Sequence, residues 1–312
     1  MSPTTYLLHG LKLSSELALD EPTVDHQPPD LWIRIGEARE IPDEIPEGEV
    51  VAELVLGGRR GYTVVETHEG LLVRFPLLAD FLINHETQTI ISHSAETTDP
   101  RFLSILLPGT VLAVYLSMLG RCVLHASAVE ANGRAVVFAG ISGMGKSTCA
   151  AMACAVGARL ITDDLLVVEL SDQPHAVPGA SHVRLRQQAS SILDVFPTRP
   201  HSWETVDGRV AVAPPGCPNL TQIAGVVIPR PSRDIERLEV QAITASQAMP
   251  RLLAFARVPG WKRTDVVRSQ FMNTGALANR VRVFEAAIPW GPPFDVDPVR
   301  QLVEDVTHDR VP

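Results

Sequence analysis

Residues 134–164, RAVVFAGISGMGKSTCAAMACAVGARLITDD, decide the reading of this chain. The apolar run Arg134–Gly140 leads into a glycine-rich turn. Ser147–Val156 follows as an alanine-rich helix closed by Gly157, and Leu160–Leu170 as a hydrophobic strand carrying Asp163 and Asp164. Strand, glycine loop, helix, strand is a βαβ-like unit and predicts an α/β domain. Within it, Gly140-Ile141-Ser142-Gly143-Met144-Gly145-Lys146-Ser147 fits GxxxxGK[ST] at every position. The chemistry demands these residue types. Glycines let successive N–H groups turn inward around a phosphate where a Cβ would clash at positive φ. Lys146 brings a mobile cation to the outer phosphates, Ser147 a hydroxyl for Mg²⁺, and the helix its positive dipole end. Gly140, Ser142, Gly143, Met144, Gly145, Lys146, Ser147 and Thr148 are the expected nucleotide contacts.

Working outward, Cys122–Glu130 and Arg134–Gly140 flank Asn132-Gly133, the strongest short-range hairpin signal a sequence offers. His125 lies on the first arm, on the face of Ser127. Alone it reads more readily as a packed strand histidine than as a functional one. Asp163-Asp164 is more pointed, because adjacent carboxylates repel and a buried one needs a cation or hydrogen bonds. The pair stands 17 and 18 residues after Lys146, where a strand beside the phosphate loop would put it.

The 312 residues are 45% hydrophobic and 20% charged, enough for a sizeable core and about two domains. A net charge of −9 argues against nucleic-acid binding and against adhesion to anionic membranes. Four cysteines (Cys122, Cys149, Cys154, Cys217) without a CxxC pair point to a reduced, cytoplasmic protein. The N-terminus has neither the charge nor the apolar run of a signal peptide. Phe102–Leu119 is apolar but interrupted by Pro108-Gly109-Thr110, so a buried helix is expected there rather than a membrane span. Residues 1–106 read as a β-rich accessory domain, with strands at Leu31–Ile35, Val50–Leu56, Tyr62–Glu66 and Leu71–Phe75 and a loop at Asp25–Pro29. Residues 107–312 read as the nucleotide-binding domain. Its proline-rich part beyond 172 holds strands at Ile223–Ile228 and Val281–Ala287 around a helix at Ala245–Ala256.

His125, the loop Gly140–Ser147 and Asp163-Asp164 together resemble the HPr kinase/phosphorylase family, whose fold also resembles the nucleotide site of phosphoenolpyruvate carboxykinase. Family members place a histidine fifteen residues before the first loop glycine and two aspartates 17 and 18 after the lysine, as here. More narrowly, Leu124–Val129 and Thr162-Asp163-Asp164 resemble a branch in which some members phosphorylate lasso-peptide precursors on serine. The resemblance implies an ATP- and Mg²⁺-dependent cytoplasmic kinase for a serine hydroxyl of a peptide or small protein, and a homo-oligomer. On it, Lys146 holds the transferring phosphate, Ser147 binds Mg²⁺ and Asp163 serves the metal or its waters. Asp164 takes the proton of the acceptor hydroxyl, and His125 supports it.

The family's Glu-Ile-Arg-Gly tract finds only His182-Val183-Arg184-Leu185-Arg186 here, which keeps an arginine, Arg184, near the phosphates and lacks the metal-binding glutamate. The tract tied to phosphorolysis is not recognisable, so only the forward reaction is expected. Asp207-Gly208-Arg209 resembles a turn of the peptide-kinase branch, and Trp261-Lys262-Arg263 reads as either a ligand contact or a solvated loop. Two alternatives stand beside the serine kinase: an ATP-gated regulatory protein without kinase activity, and a small-molecule kinase. The N-terminal domain is expected to recognise substrate through a sheet edge.

Overall fold

Short apolar runs between glycine turns pair into one eight-stranded sheet in the computed structural model, which describes residues 3–25 and 27–311. The strands are β1 (Thr4–Leu8), β2 (Leu11–Ser15), β3 (Leu31–Ile35), β4 (Glu49–Leu56), β5 (Arg59–Thr67), β6 (Gly70–Phe75), β7 (Ala79–Asn84) and β8 (Thr89–Ser94). Their order is β1-β2-β3-β8-β7-β6-β5-β4. Alternation drives it: Leu71, Val73 and Phe75 of β6 and Phe81 and Ile83 of β7 are buried. Gly57 and Gly58, at φ +56° and +77°, supply the tight turn from β4 to β5. The four strands expected from the sequence fall within β3 to β6. Of the expected loop Asp25–Pro29, His26 lies outside the described residues, and the others are neither helix nor strand.

The buried helix expected over Phe102–Leu119 starts at Arg101, whose N–H is held by Asp99 at 2.9 Å. It runs as α1 (Arg101–Leu106), a π-helical turn (Leu107–Val111) and α2 (Leu112–Met118). Pro108 and Gly109 therefore do not end it. The wider turn absorbs the N–H that proline lacks. Among the described residues, Arg101–Met118 is long and apolar enough to cross a membrane by length and composition, but 61% of it is buried inside the protein.

The chain separates into two units, whose division falls after Gly120 where the sequence suggested 106. The first unit comprises Met1–Gly120 together with Val258–Ser269. The returning segment is tied to its strands: Lys262 N–H donates to Val51 O at 2.7 Å, and Arg263 pairs with Glu66 at 3.2 Å. Trp261-Lys262-Arg263 accordingly belongs to the first unit.

The second unit comprises Arg121–Arg257 and Gln270–Pro312. Its strands are β9 (Cys122–Leu124), β10 (Ala126–Ala131), β11 (Arg134–Ala139), β12 (Arg159–Thr162), β13 (Leu166–Glu169), β14 (His175–Val177), β15 (Val183–Leu185), β16 (His201–Glu204), β17 (Val210–Ala213), β18 (Thr221–Ser232), β19 (Glu239–Ile243) and β20 (Arg282–Pro289). The helices are α3 (Lys146–Ala155), α4 (Ala245–Ala254), the part of α5 (Thr264–Arg280) from Gln270 onward, and α6 (Asp297–Thr307). Pairing runs β12-β10-β11-β18-β20-β19, while β14, β13 and β9 continue from the start of β18. The proline-rich stretch holds the separate sheet β15-β17-β16 and a 3₁₀ helix, Gln187–Val195.

The hairpin β10–β11 turns through Asn132 and Gly133 at φ +54° and +75°, as their types require. Cys149, Met152 and Ala153 of α3 pack with Phe138, Val227 and Phe284 and with Val299, Leu302 and Val306 of α6. Ala248 and Leu252 of α4 cover the other face with Val137, Ala139 and Val226. The βαβ-like unit is modified. Strand β12 returns beyond β10, which runs antiparallel between β11 and β12. Two expected continuous strands are also broken. β10 pairs with β12 and β9 with β13, and between these ladders His125 on one side and Asp163–Leu165 on the other leave the sheet.

Candidate active site

The break in the two strands opens next to the phosphate loop, where β11 enters α3. Gly143 and Gly145 lie at φ +93° and +80°. A Cβ on Gly145 would also stand 2.7 Å from Trp290 Cη2 and 3.1 Å from Pro231 Cγ, so only glycine fits. The first bond of α3 runs from Cys149 N–H to Gly145 O at 2.8 Å. Among the described residues, the N–H groups of Gly143, Gly145, Lys146, Ser147 and Thr148 have no acceptor, and the first turn of α3 holds no acidic residue. Five free donors at a helix N-terminus suit an anion. Lys146 Nζ donates to Ile141 O at 2.9 Å, and burial pushes its ammonium down to about 8 against the pull of Asp163 and Asp164. Ser142 and Met144 complete the turn, with Met144 N–H bonded to Ile141 O at 3.3 Å. A Cβ on Gly140 would meet the Met144 side chain at 2.9 Å.

The two aspartates take different neighbours. Asp163 is buried. Its Oδ1 accepts from Ser127 Oγ at 2.5 Å and Ser147 Oγ at 2.7 Å, and its Oδ2 accepts from Arg184 N–H at 3.0 Å. Asp164 sits at φ +67°, a left-handed position that aspartate tolerates better than most residues. Its Oδ1 is 3.2 Å from His125 Nε2. Its Oδ2 is 2.8 Å from Arg257 and 3.7 Å from Arg184. Burial favours protonation of Asp164, but Arg257, His125 and Arg184 together hold its carboxyl well below the usual range. Burial likewise pushes the His125 imidazole down, with Asp164 opposing.

Arg184, on β15, reaches further. It lies 3.4 Å from Asp207, which also pairs with Arg209 at 3.4 Å. The Asp207-Gly208-Arg209 turn, with Gly208 at φ +73°, thus joins the site through Arg184. Lys146, Arg184, Arg209 and Arg257 face Asp163, Asp164 and Asp207: four cations against three carboxylates in a chain of net charge −9. Cys149 and Cys154 are buried in α3, and burial raises both thiols, Cys154 to about 12, so they pack and do not react.

The structure therefore brings together His125, Lys146, Ser147, Asp163, Asp164 and Arg184. Sequence reasoning did not assign Arg257, an isolated arginine 93 positions from its partner, or the part played by Ser127. Ser127 was legible as the residue sharing the face of His125; Arg257 carried no local signal. Among the described residues no group of three or more His, Cys, Asp or Glu side chains is placed to hold a metal. Mg²⁺ is compatible with the site nonetheless. Ser147 Oγ and Asp163 Oδ1 offer adjacent hard oxygens, and Mg²⁺ ordinarily takes few protein ligands beside phosphate and water.

No family model matches the chain, and no curated protein matches it. Among solved structures it is similar to one described as the Hpr(Ser) kinase/phosphatase from Coxiella burnetii. Identity is 10%, the match covers 60% of this chain and 95% of that one, and the TM-score is 0.30. A likeness this slight carries no argument and assigns neither chemistry nor a peptide-kinase branch.

The Arg257–Asp164 pair has a measurable structural share. Side-chain exposure is 14% and 25%, so solvent screens it in part. Arg257→Met should lower the unfolding free energy by about 1–2 kcal/mol, less than for a fully buried pair. Urea unfolding reads this, with Arg257→Lys recovering part of the loss; an unchanged midpoint would show the pair to be idle.

Proposed function

We propose that the second unit is an ATP- and Mg²⁺-dependent kinase that transfers the terminal phosphoryl group to a serine hydroxyl of a peptide or small protein. The observation that carries this reading is Asp164, an ionised carboxylate fixed between His125 and Arg257 beside the phosphate loop. A site built only to bind nucleotide has no need of a second clamped carboxylate there. The serine acceptor and its peptide setting rest on the resemblance of His125, the loop and the aspartate pair to HPr-kinase-like proteins.

Bound Mg²⁺ would neutralise charge on the phosphate oxygens, with Ser147 and Asp163 as its protein ligands. The free amides of the loop hold the phosphate chain. Lys146 exchanges its bond to Ile141 O for the outer phosphates, which restores its full charge where negative charge gathers. Arg184 and Arg257 neutralise the same region from the acceptor side. Asp164 is too weakly basic to strip a serine hydroxyl in advance. It orients the hydroxyl and takes the proton late, which suffices for a loose phosphoryl-transfer transition state. Neutral His125 steadies Asp164 from its other oxygen.

The first unit is proposed to recognise the acceptor through a sheet edge, and the chain, on the resemblance, to work as a cytoplasmic homo-oligomer; the four buried free thiols agree with a reducing compartment. Calorimetry with ATP, with and without Mg²⁺, and with phosphate release followed in the same sample, tests the reading. Mg²⁺-dependent binding with little release, and phosphoserine formed when serine-containing peptide arrays are added, is the expected result. Binding without any phosphorylated product would instead support an ATP-gated regulator. No binding would remove the nucleotide from the account.

A further inference from the structure

The edge of the sheet that carries the phosphate loop has a definite order. Strands β11, β12, β18 and β20 all run in one direction, because β10 is antiparallel to both β11 and β12, while β18 pairs in parallel with β11 and β20 in parallel with β18. Their C-terminal ends therefore share that edge, where ligands of parallel sheets bind. Asp163 and Asp164 follow β12 on one side of the loop. On the other side β18 and β20 project. Pairing of β11 with β18 stops at Phe138–Val227, whereas β18 and β20 stay paired as far as Ser232–Pro289. Five further residues at about 3.3 Å each raise a wall of about 16 Å beside the loop.

At the tip of that wall the half-buried indole of Trp290 lies against the backbone of Gly145, with Pro231 beside it. Phe294 meets the indole edge-on, with ring centroids 5.5 Å apart and planes at 89°. Exposed Arg233 is anchored 3.4 Å from Gly291 O. A nucleotide whose reacting phosphate points to the aspartates must extend its nucleoside away from them, toward this wall.

We infer that Trp290 and Pro231, at the projecting ends of β20 and β18, form the stacking site for the base of the nucleotide. The inference rests on the nucleotide reading of the phosphate loop and adds where the base goes. An aromatic ring and a proline offer π-face and apolar contact, and stacking on an aromatic side chain is a common source of base affinity. A purine, with the larger ring face, is the class of base the wall suits.

The test compares Mg²⁺–ATP with Mg²⁺–tripolyphosphate, which has the phosphates without base or sugar. The wild type should bind ATP at least tenfold more tightly, and Trp290→Ala should remove most of that preference. ATP, but not tripolyphosphate, should quench tryptophan emission, and Trp290→Phe should keep the affinity while losing the quench. Should Trp290→Ala fail to fold, which lost tripolyphosphate binding would report, the Trp290→Phe quench decides. Preference for ATP unchanged in Trp290→Ala, or a quench that survives in Trp290→Phe, would overturn the assignment. Equal wild-type affinity for the two ligands would overturn it as well. Binding of neither by the wild type would instead defeat the phosphate-loop reading itself.

Discussion

Asp164→Asn should cut phosphoryl transfer to a serine acceptor by about a thousandfold while ATP still binds. The substitution isolates the charge. Asparagine tolerates the left-handed φ of +67° as aspartate does, so the backbone between β12 and β13 keeps its shape. The amide oxygen can still accept from Arg257, but the ionic attraction is gone and so is the carboxylate that takes the hydroxyl proton. ATP affinity should stay level or rise a few-fold, because a negative charge near the phosphates has been removed. Asp164→Ala would add backbone strain and confuse the two effects. Single-turnover transfer from labelled ATP, with binding measured on the same preparation, reads both quantities. Transfer at the wild-type rate would remove Asp164 from the mechanism. A parallel loss of binding would show that the residue holds the loop rather than the acceptor.

The two halves of this site differ in how openly the sequence declares them. The phosphate loop is contiguous, and each of its residue types answers a local need, such as positive φ at Gly143 and Gly145, so it reads directly. The Asn132-Gly133 hairpin is legible for the same reason. His125 and the aspartates were legible only as positions. The alternation that suggested unbroken strands hid the fact that 122–131 and 159–169 each change partners midway. That exchange depends on β13, β14 and the far end of the sheet, which no window around His125 contains. Arg257 is less visible still, since it reaches Asp164 from beyond α4 across 93 residues. The first unit's sheet followed from its alternation and turns. Its boundary did not, because Val258–Ser269 returns to it by backbone and ion-pair contacts made far along the chain. Helix α6 was readable in principle, with Val299, Leu302, Val303 and Val306 spaced along one buried face.

Asp163→Ala should destabilise the protein and remove the Mg²⁺ dependence of ATP binding together. Three donors converge on this carboxylate, and two of them have nowhere else to turn. The Ser127 hydroxyl is fully buried, and the Arg184 N–H lies in the middle of the three-residue β15 with Asp163 Oδ2 as its partner. Leaving buried donors unpaired costs about 1–3 kcal/mol each, and relaxation recovers part of it, so a net loss of about 3 kcal/mol is expected. For a unit of this size that is a fall of about 10 °C in Tm. Ser147 is the third donor, and its loss acts on function. Its hydroxyl would no longer be held toward the outer phosphates, and the adjacent carboxylate oxygen for Mg²⁺ would be gone. ATP affinity with Mg²⁺ should fall to the value seen in EDTA, while metal-free binding through the loop amides persists. Ser127→Ala separates the two roles. It removes one donor with its acceptor left in place, so Tm should change by only a few degrees and the Mg²⁺ effect should survive. Scanning calorimetry and ATP titrations with and without Mg²⁺ on both variants provide the check. If Asp163→Ala kept its Mg²⁺ dependence while losing stability, the carboxylate would be a structural anchor for Ser127 and Arg184 alone, and the metal would have to be held by Ser147 and the phosphates.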